Sequence, residues 1–172
     1  MTSTLIGKQA VVVGAGMAGL PAARALADYF EHVVVLERDT LPFDAAQRAG
    51  TPQARHTHGL LAGGQRALGE LFPEFEDDLA GAGAVPVKVG LDLRLEMPGF
   101  DPFPRRDLGV IAYAMSRPLV EFTVRRQVKR RANITIRENC RGQDVIAAPD
   151  GTSVPRSASR TAMGKARRSR RI

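Results

Sequence analysis

Apolar residues near the N-terminus fall into two short, unbroken runs. Gln9-Ala-Val-Val-Val-Gly14 is β-branched and closes on glycine, and His32-Val-Val-Val-Leu-Glu37 closes on a carboxylate. Runs of this length suit strands buried on both faces, as in a parallel sheet covered by helices. Between them Leu20, Ala23, Leu26 and Ala27 recur at helical spacing. The pattern predicts strand, tight turn, helix and strand, a βαβ unit whose crossover should be right-handed.

Beyond this unit the pattern changes. Arg38 to Thr57 is rich in Pro, Gly and polar residues, which predicts a long functional loop. Leu60, Leu61, Ala67, Leu68 and Leu71 suggest an amphipathic helix, weakened by Gly63-Gly64 and halted by Pro73, with a short second helix from Phe75 to Leu79. From Val85 to Leu95 every second residue is apolar, which predicts a half-exposed, antiparallel strand and a second layer distinct from the buried runs. Val110 to Met115 predicts a strand, Arg117 to Ala132 a helix, Ile134 to Arg137 a strand, and Asp144 to Ala148 a last strand before a turn at Pro149-Asp-Gly151.

At 172 residues the chain is about one domain long. Its net charge of +7 would suggest a nucleic-acid or membrane partner, but residues 1–154 hold 18 Lys+Arg against 18 Asp+Glu. The other seven basic residues all lie in 155–172, with no acid among them. That tail has no apolar period and one charge sign, which predicts disorder. Neither a specific nucleic-acid partner nor a membrane span is expected, and the sequence sets no oligomeric state. Cys140 is the one cysteine, so no internal disulfide forms and a cytoplasmic location fits.

Gly14-Ala-Gly-Met-Ala-Gly19 is a GxGxxG motif between a predicted strand and a predicted helix, the context its chemistry requires. Gly14 permits the tight turn, Gly16 lets the backbone approach a pyrophosphate, and Gly19 lets helix pack on strand. The phosphates would lie against the free amides and positive end of a helix starting near Met17. Glu37 follows Gly14 by 23 positions, where a carboxylate accepts hydrogen bonds from a ribose diol and disfavours a ribose 2′-phosphate. Pro21 removes one helical amide, tolerable in a first turn. His56 and His58 form an HxH pair without further ligands at metal-like spacing, so no metal site is expected. Arg125, Arg126, Lys129, Arg130 and Arg131 read as a solvated helix face. The motif alone does not separate FAD from NAD.

Four segments resemble one family more closely: VVVGAGMAGLPAARAL, VVVLERD with Glu37-Arg-Asp39, RAGTPQARHTHGLL from Arg48 to Leu61, and Ser116-Arg-Pro-Leu-Val-Glu121 followed by Arg125-Arg126. They resemble the N-terminal part of FAD-dependent monooxygenases of the aromatic-hydroxylase type, the polyprenyl-methoxyphenol hydroxylase-like flavoproteins. The resemblance implies an α/β, Rossmann-like FAD-binding domain with a parallel sheet and the beginning of an antiparallel second layer. It implies that Gly14, Ala15, Gly16, Met17, Ala18 and Gly19 hold the FAD pyrophosphate, that Glu37 binds the adenosine ribose with Arg38 beside the adenine, and that Arg117 and Arg48 reach toward the cofactor. It further implies NAD(P)H as co-substrate and oxygen insertion into an aromatic or unsaturated small molecule, with no catalytic acid or base assigned.

The resemblance covers residues 7–154 and stops where the basic tail begins. The expected organisation is therefore a truncated FAD-binding domain over 1–154 and a disordered tail over 155–172 from a shifted reading frame, with weak FAD affinity and little turnover. Two other readings remain open on the residues alone. One is an NAD-binding Rossmann dehydrogenase fragment, and the other is a non-enzymatic module whose basic tail binds nucleic acid or lipid.

Overall fold

A computed structural model describes residues 5–56, 58–93, 96–146, 156–161 and 166–168, the last two ranges and residues 145–146 by backbone only. In chain order the elements are β1 (Gly7–Val13), α1 (Gly19–Leu26), β2 (Phe30–Leu36), a 3-10 turn (Pro52–Arg55), β3 (His58–Leu60), α2 (Ala62–Leu71), α3 (Phe75–Gly81), β4 (Val85–Lys88), β5 (Ile111–Met115), α4 (Arg117–Lys129), β6 (Ile134–Arg137), β7 (Cys140–Ile146), β8 (Arg156–Thr161) and β9 (Ala166–Arg168). They form two compact units, one of residues 1–52 with 124–172 and the other of residues 53–123.

The first unit is built on a parallel sheet in the order β1-β2-β6. β2 lies at its centre, with Val12 opposite Val35 and Val34 opposite Thr135. Val33 to Leu36 are all buried, as a central strand covered on both faces requires. Leu20 and Ala23 of α1 are fully buried as well, so the helical spacing of the sequence marks the face that meets the sheet. Val34, Leu36 and Cys140 pack together with Val11. The thiol is thus a small apolar group in the core.

The second unit holds an antiparallel sheet in the order β3-β5-β4 with α2 and α3. The expected long strand from Val85 to Leu95 is shorter than its alternation suggested. β4 stops at Lys88 because Asp92 accepts the Lys88 amide at 2.7 Å and folds the chain back. A Cβ on Gly90 would also collide with the Arg106 carbonyl, which approaches there. Arg94 and Leu95 lie outside the described residues. β3 went unpredicted, since three residues with a central glycine carry no period.

Two further expectations need correction. Arg125 is buried, not part of a solvated face: its Nη2 donates to the Pro42 and Asp44 carbonyls. Arg126 and Lys129 are exposed, as expected. The basic tail, expected without order, contributes β8 and β9, which pair antiparallel with β7 and with each other. Backbone ladders need no apolar period, and β7 offers an edge to pair with. The turn expected at Pro149 to Gly151 lies outside the described residues, as do Ala147 and Ala148.

Candidate nucleotide-binding site

The turn between β1 and α1 is shaped by its glycines. Gly14 has φ +95°, a left-handed conformation that side chains resist, and its amide donates to the Leu36 carbonyl at 2.7 Å. At Gly19 an added Cβ would collide with the Gly14 carbonyl, so the helix sits as close to the turn as backbone permits. The space beside Gly14 is open, and at Gly16 the nearest group is the Arg48 guanidinium, 3.8 Å from where a Cβ would lie. Leu20 donates to the Gly16 carbonyl at 2.9 Å, which starts the helical ladder. Ala18 supplies no side-chain cap and no acidic residue lies in the first turn. The amides at the start of α1 and the positive end of its dipole therefore face this opening without a competing carboxylate of the helix itself.

Glu37 follows the last residue of β2 beside this turn and is 3% exposed. Its Oε2 accepts the Ala15 amide at 2.7 Å and its Oε1 the Asp39 amide at 2.9 Å. A carboxylate has about four acceptor positions, so two amides do not exhaust it. Arg48 reaches in from the long loop, its Nη1 lying 3.3 Å from Glu37 Oε2 and 2.8 Å from Asp39 Oδ2, and its Nη2 donating to the Ala15 carbonyl at 3.3 Å. Asp39 Oδ2 also accepts the Gly50 amide at 2.6 Å. Arg48 is thus held in a nearly buried ion-pair network.

Arg38 points outward, 57% exposed, with Nε 3.9 Å from Asp39 Oδ1. It borders a shallow cavity of about 400 Å³ shared with Thr40, Pro42, Gln47, Arg48 and Asn139. Thr40 donates its hydroxyl to Asn139 Oδ1 at 2.9 Å, and Leu41 donates its amide to Glu138 Oε2 at 3.0 Å. Arg117 belongs to the other unit. There its Nη2 lies 3.6 Å from Glu121 Oε2, one helical turn along α4, and its Nε is buried without a hydrogen-bond partner among the described residues. His58 Nδ1 lies 2.8 Å from the His56 carbonyl, a bond that requires the proton on that nitrogen.

The structure thus brings Gly14 to Gly19, Glu37 and Arg48 together, with Arg38 at the rim. Sequence reasoning quoted Asp39 in the Glu37-Arg-Asp39 segment without giving it a role, and did not single out Gly50. The available signal was an acid two residues past Glu37 and a glycine two past Arg48, too common in loops to single out. The cradle fits a dinucleotide: a strained turn with open space above Gly14, amides at a helix start, and a carboxylate at the adjacent strand end.

A model of the NAD(P)-binding Rossmann-like domain family matches residues 12–63. Protein Rv3254 of Mycobacterium tuberculosis is 39% identical over 132 residues, which cover 74% of this chain and 27% of that protein. Among solved structures, PqsL of Pseudomonas aeruginosa, described as a probable FAD-dependent monooxygenase, superposes with a TM-score of 0.63 at 15% identity, over 94% of this chain and 40% of its own. This chain shares its fold with that protein. The myxobacterial FAD-dependent halogenase CndH shares it with a TM-score of 0.66 at 18% identity, over 94% of this chain and 35% of its own. So does p-nitrophenol 4-monooxygenase PnpA of Pseudomonas putida, with a TM-score of 0.61 at 18% identity, over 94% of this chain and 38% of its own. The chain spans about a quarter of the curated relative and less than half of each of these solved chains. The parallel sheet and the separate antiparallel sheet are the expected α/β, Rossmann-like arrangement.

Proposed function

We propose that this chain is the FAD-binding portion of a flavin-dependent monooxygenase that uses NAD(P)H and O2 to hydroxylate an aromatic or unsaturated small molecule. The observation that carries the reading is the Gly14–Gly19 turn, open above Gly14 and closed by Glu37. In this reading the turn of Gly14, Ala15, Gly16, Met17, Ala18 and Gly19 holds the pyrophosphate, with the Gly14 and Ala15 amides already given to the Leu36 carbonyl and to Glu37. Glu37 accepts from the ribose, Arg38 lies beside the adenine, and Arg48 offsets phosphate charge. When bound, FAD supplies the redox chemistry with hydride and with oxygen; the protein holds and orients it. The site's carboxylate also disfavours a 2′-phosphate, so NADP is a poor occupant of this cradle.

A small-molecule substrate and a cytoplasmic location belong to the same proposal. Among the described residues no helix is long and apolar enough to cross a membrane. The experiment is to titrate the purified chain with FAD, follow quenching of flavin fluorescence, and displace FAD with ADP. Saturable binding that ADP reverses is expected. Binding of NAD with none of FAD would replace the flavin reading with a dehydrogenase one.

A further inference from the structure

We propose that Asp39 is a positioning residue for nucleotide binding: it sets Arg48 over the Gly14–Gly19 turn and anchors the return of the 38–50 loop through one carboxylate oxygen. The proposal rests on the nucleotide-binding reading above and adds a residue that the motif does not contain.

Three observations meet at Asp39. Its Oδ2 accepts from Arg48 Nη1 at 2.8 Å, shorter than the guanidinium's 3.3 Å approaches to Glu37 Oε2 and to the Ala15 carbonyl. The same Oδ2 accepts the Gly50 amide at 2.6 Å, so side chain and backbone on both sides of Ala49 converge on one atom. A Cβ on Gly50 would collide with that oxygen, so the approach depends on glycine. The outgoing half of the loop is held separately, by Arg125 at the Pro42 and Asp44 carbonyls and by Glu138 at the Leu41 amide. Asp39 is therefore the fastening of the returning half, which carries Arg48.

Charge alone would give the opposite effect. Glu37 and Asp39 with Arg48 carry a net charge of about −1, so a neutral residue at position 39 should draw a diphosphate in more strongly if the carboxylate merely added charge. If Asp39 positions Arg48, the neutral residue releases the guanidinium and binding weakens. The sign of the change separates the two roles.

The test is calorimetric titration of the 172-residue chain with ADP. Asp39→Asn is isosteric and still accepts the Gly50 amide, yet loses the charge-assisted bond to Arg48. It should bind ADP about tenfold more weakly, the scale of one hydrogen bond to a charged group. Gly50→Ala, which pushes on the Asp39 Oδ2 and Arg48 Nη1 pair without changing charge, should weaken binding in the same direction and keeps the test alive if Asp39→Asn does not fold. In an Arg48→Ala background Asp39→Asn should have no further effect, which a general loss of fold would not reproduce. Unchanged or tighter ADP binding by Asp39→Asn, or an undiminished loss in the Arg48→Ala background, overturns the proposal. Absence of ADP and FAD binding by the wild-type chain overturns the nucleotide reading itself, and Asp39's role with it.

Discussion

At the scale of single residues, Gly14 and Gly19 constrain the same turn for different reasons, and substitution separates them. Gly14→Ala meets open space but keeps φ near +95°, which costs an L-residue about 1–2 kcal/mol. Gly19→Ala keeps an ordinary helical φ but drives a methyl into the Gly14 carbonyl, an overpacking cost of about 1–3 kcal/mol that falls on backbone rather than a flexible side chain. Denaturant unfolding should show both losses. In ADP titration Gly19→Ala should be the more damaging, because α1 must back away from the opening; equal ADP affinity in wild type and Gly19→Ala would show that the helix start does not form the site. These glycines and Glu37 were legible in the sequence because each answers to a backbone or ligand constraint with a fixed spacing. Asp39, Gly50 and Arg125 were not. Their roles come from contacts within a loop, or across 83 positions between Arg125 and Pro42, and no local period encodes such pairs.

Among elements, β1, β2, α1 and β6 fall where the periodicity puts them: β2 is buried from Val33 to Leu36, α1 buries Leu20 and Ala23, and β1 and β6 pair with β2 on either side. β4 and β3 were misread where tertiary contacts, not propensity, decide where a strand begins or ends. The contact between Tyr113 of β5 and Glu76 of α3 has a consequence that alternation could not reveal. Tyr113 of β5 has a buried ring, and its hydroxyl meets Glu76 of α3, with Asp77 nearby. Burial first, then the charges of Glu76 and Asp77 and the hydrogen bond to Glu76, push the phenol's pKa above its ordinary value of 10.0. The folded state therefore holds the proton more tightly than the unfolded one. Stability from this group is complete below pH 10 and is lost as pH rises through the raised value. Titrating tyrosinate absorbance in a Tyr29→Phe background should give a midpoint above that of free tyrosine, and Tyr113→Phe should flatten the alkaline fall in stability. A midpoint at or below that of free tyrosine would show that α3 does not hold its acids against β5.

On the scale of the whole molecule, charge and topology give different accounts of residues 155–172. The charge record sets them apart, with all seven unbalanced basic residues beyond a neutral body. Strand pairing instead ties residues 156–161 and 166–168 to the first unit, Cys140 standing opposite Thr161 and Ile146 opposite Arg156, with a register shift between Gly142 and Asp144. Hydrogen exchange distinguishes a paired segment from a solvated one, because ladder amides exchange only when the pairing opens. Removing residues 155–172 is a poor test, since it also takes the net charge from +7 to zero and promotes association on that ground alone. Ala158→Pro is cleaner: proline lacks the amide that a ladder needs, and the charge is untouched. Ala158 stands opposite Asp144 on one side and Arg168 on the other, so the substitution falls between β7 and β9. Amides of β7 should exchange about tenfold faster in that variant, the scale of roughly one lost ladder bond, while β1 and β2 keep their protection. Unchanged β7 exchange would mean that the basic segment does not complete this sheet, and that β7 meets solvent along the edge that β8 covers.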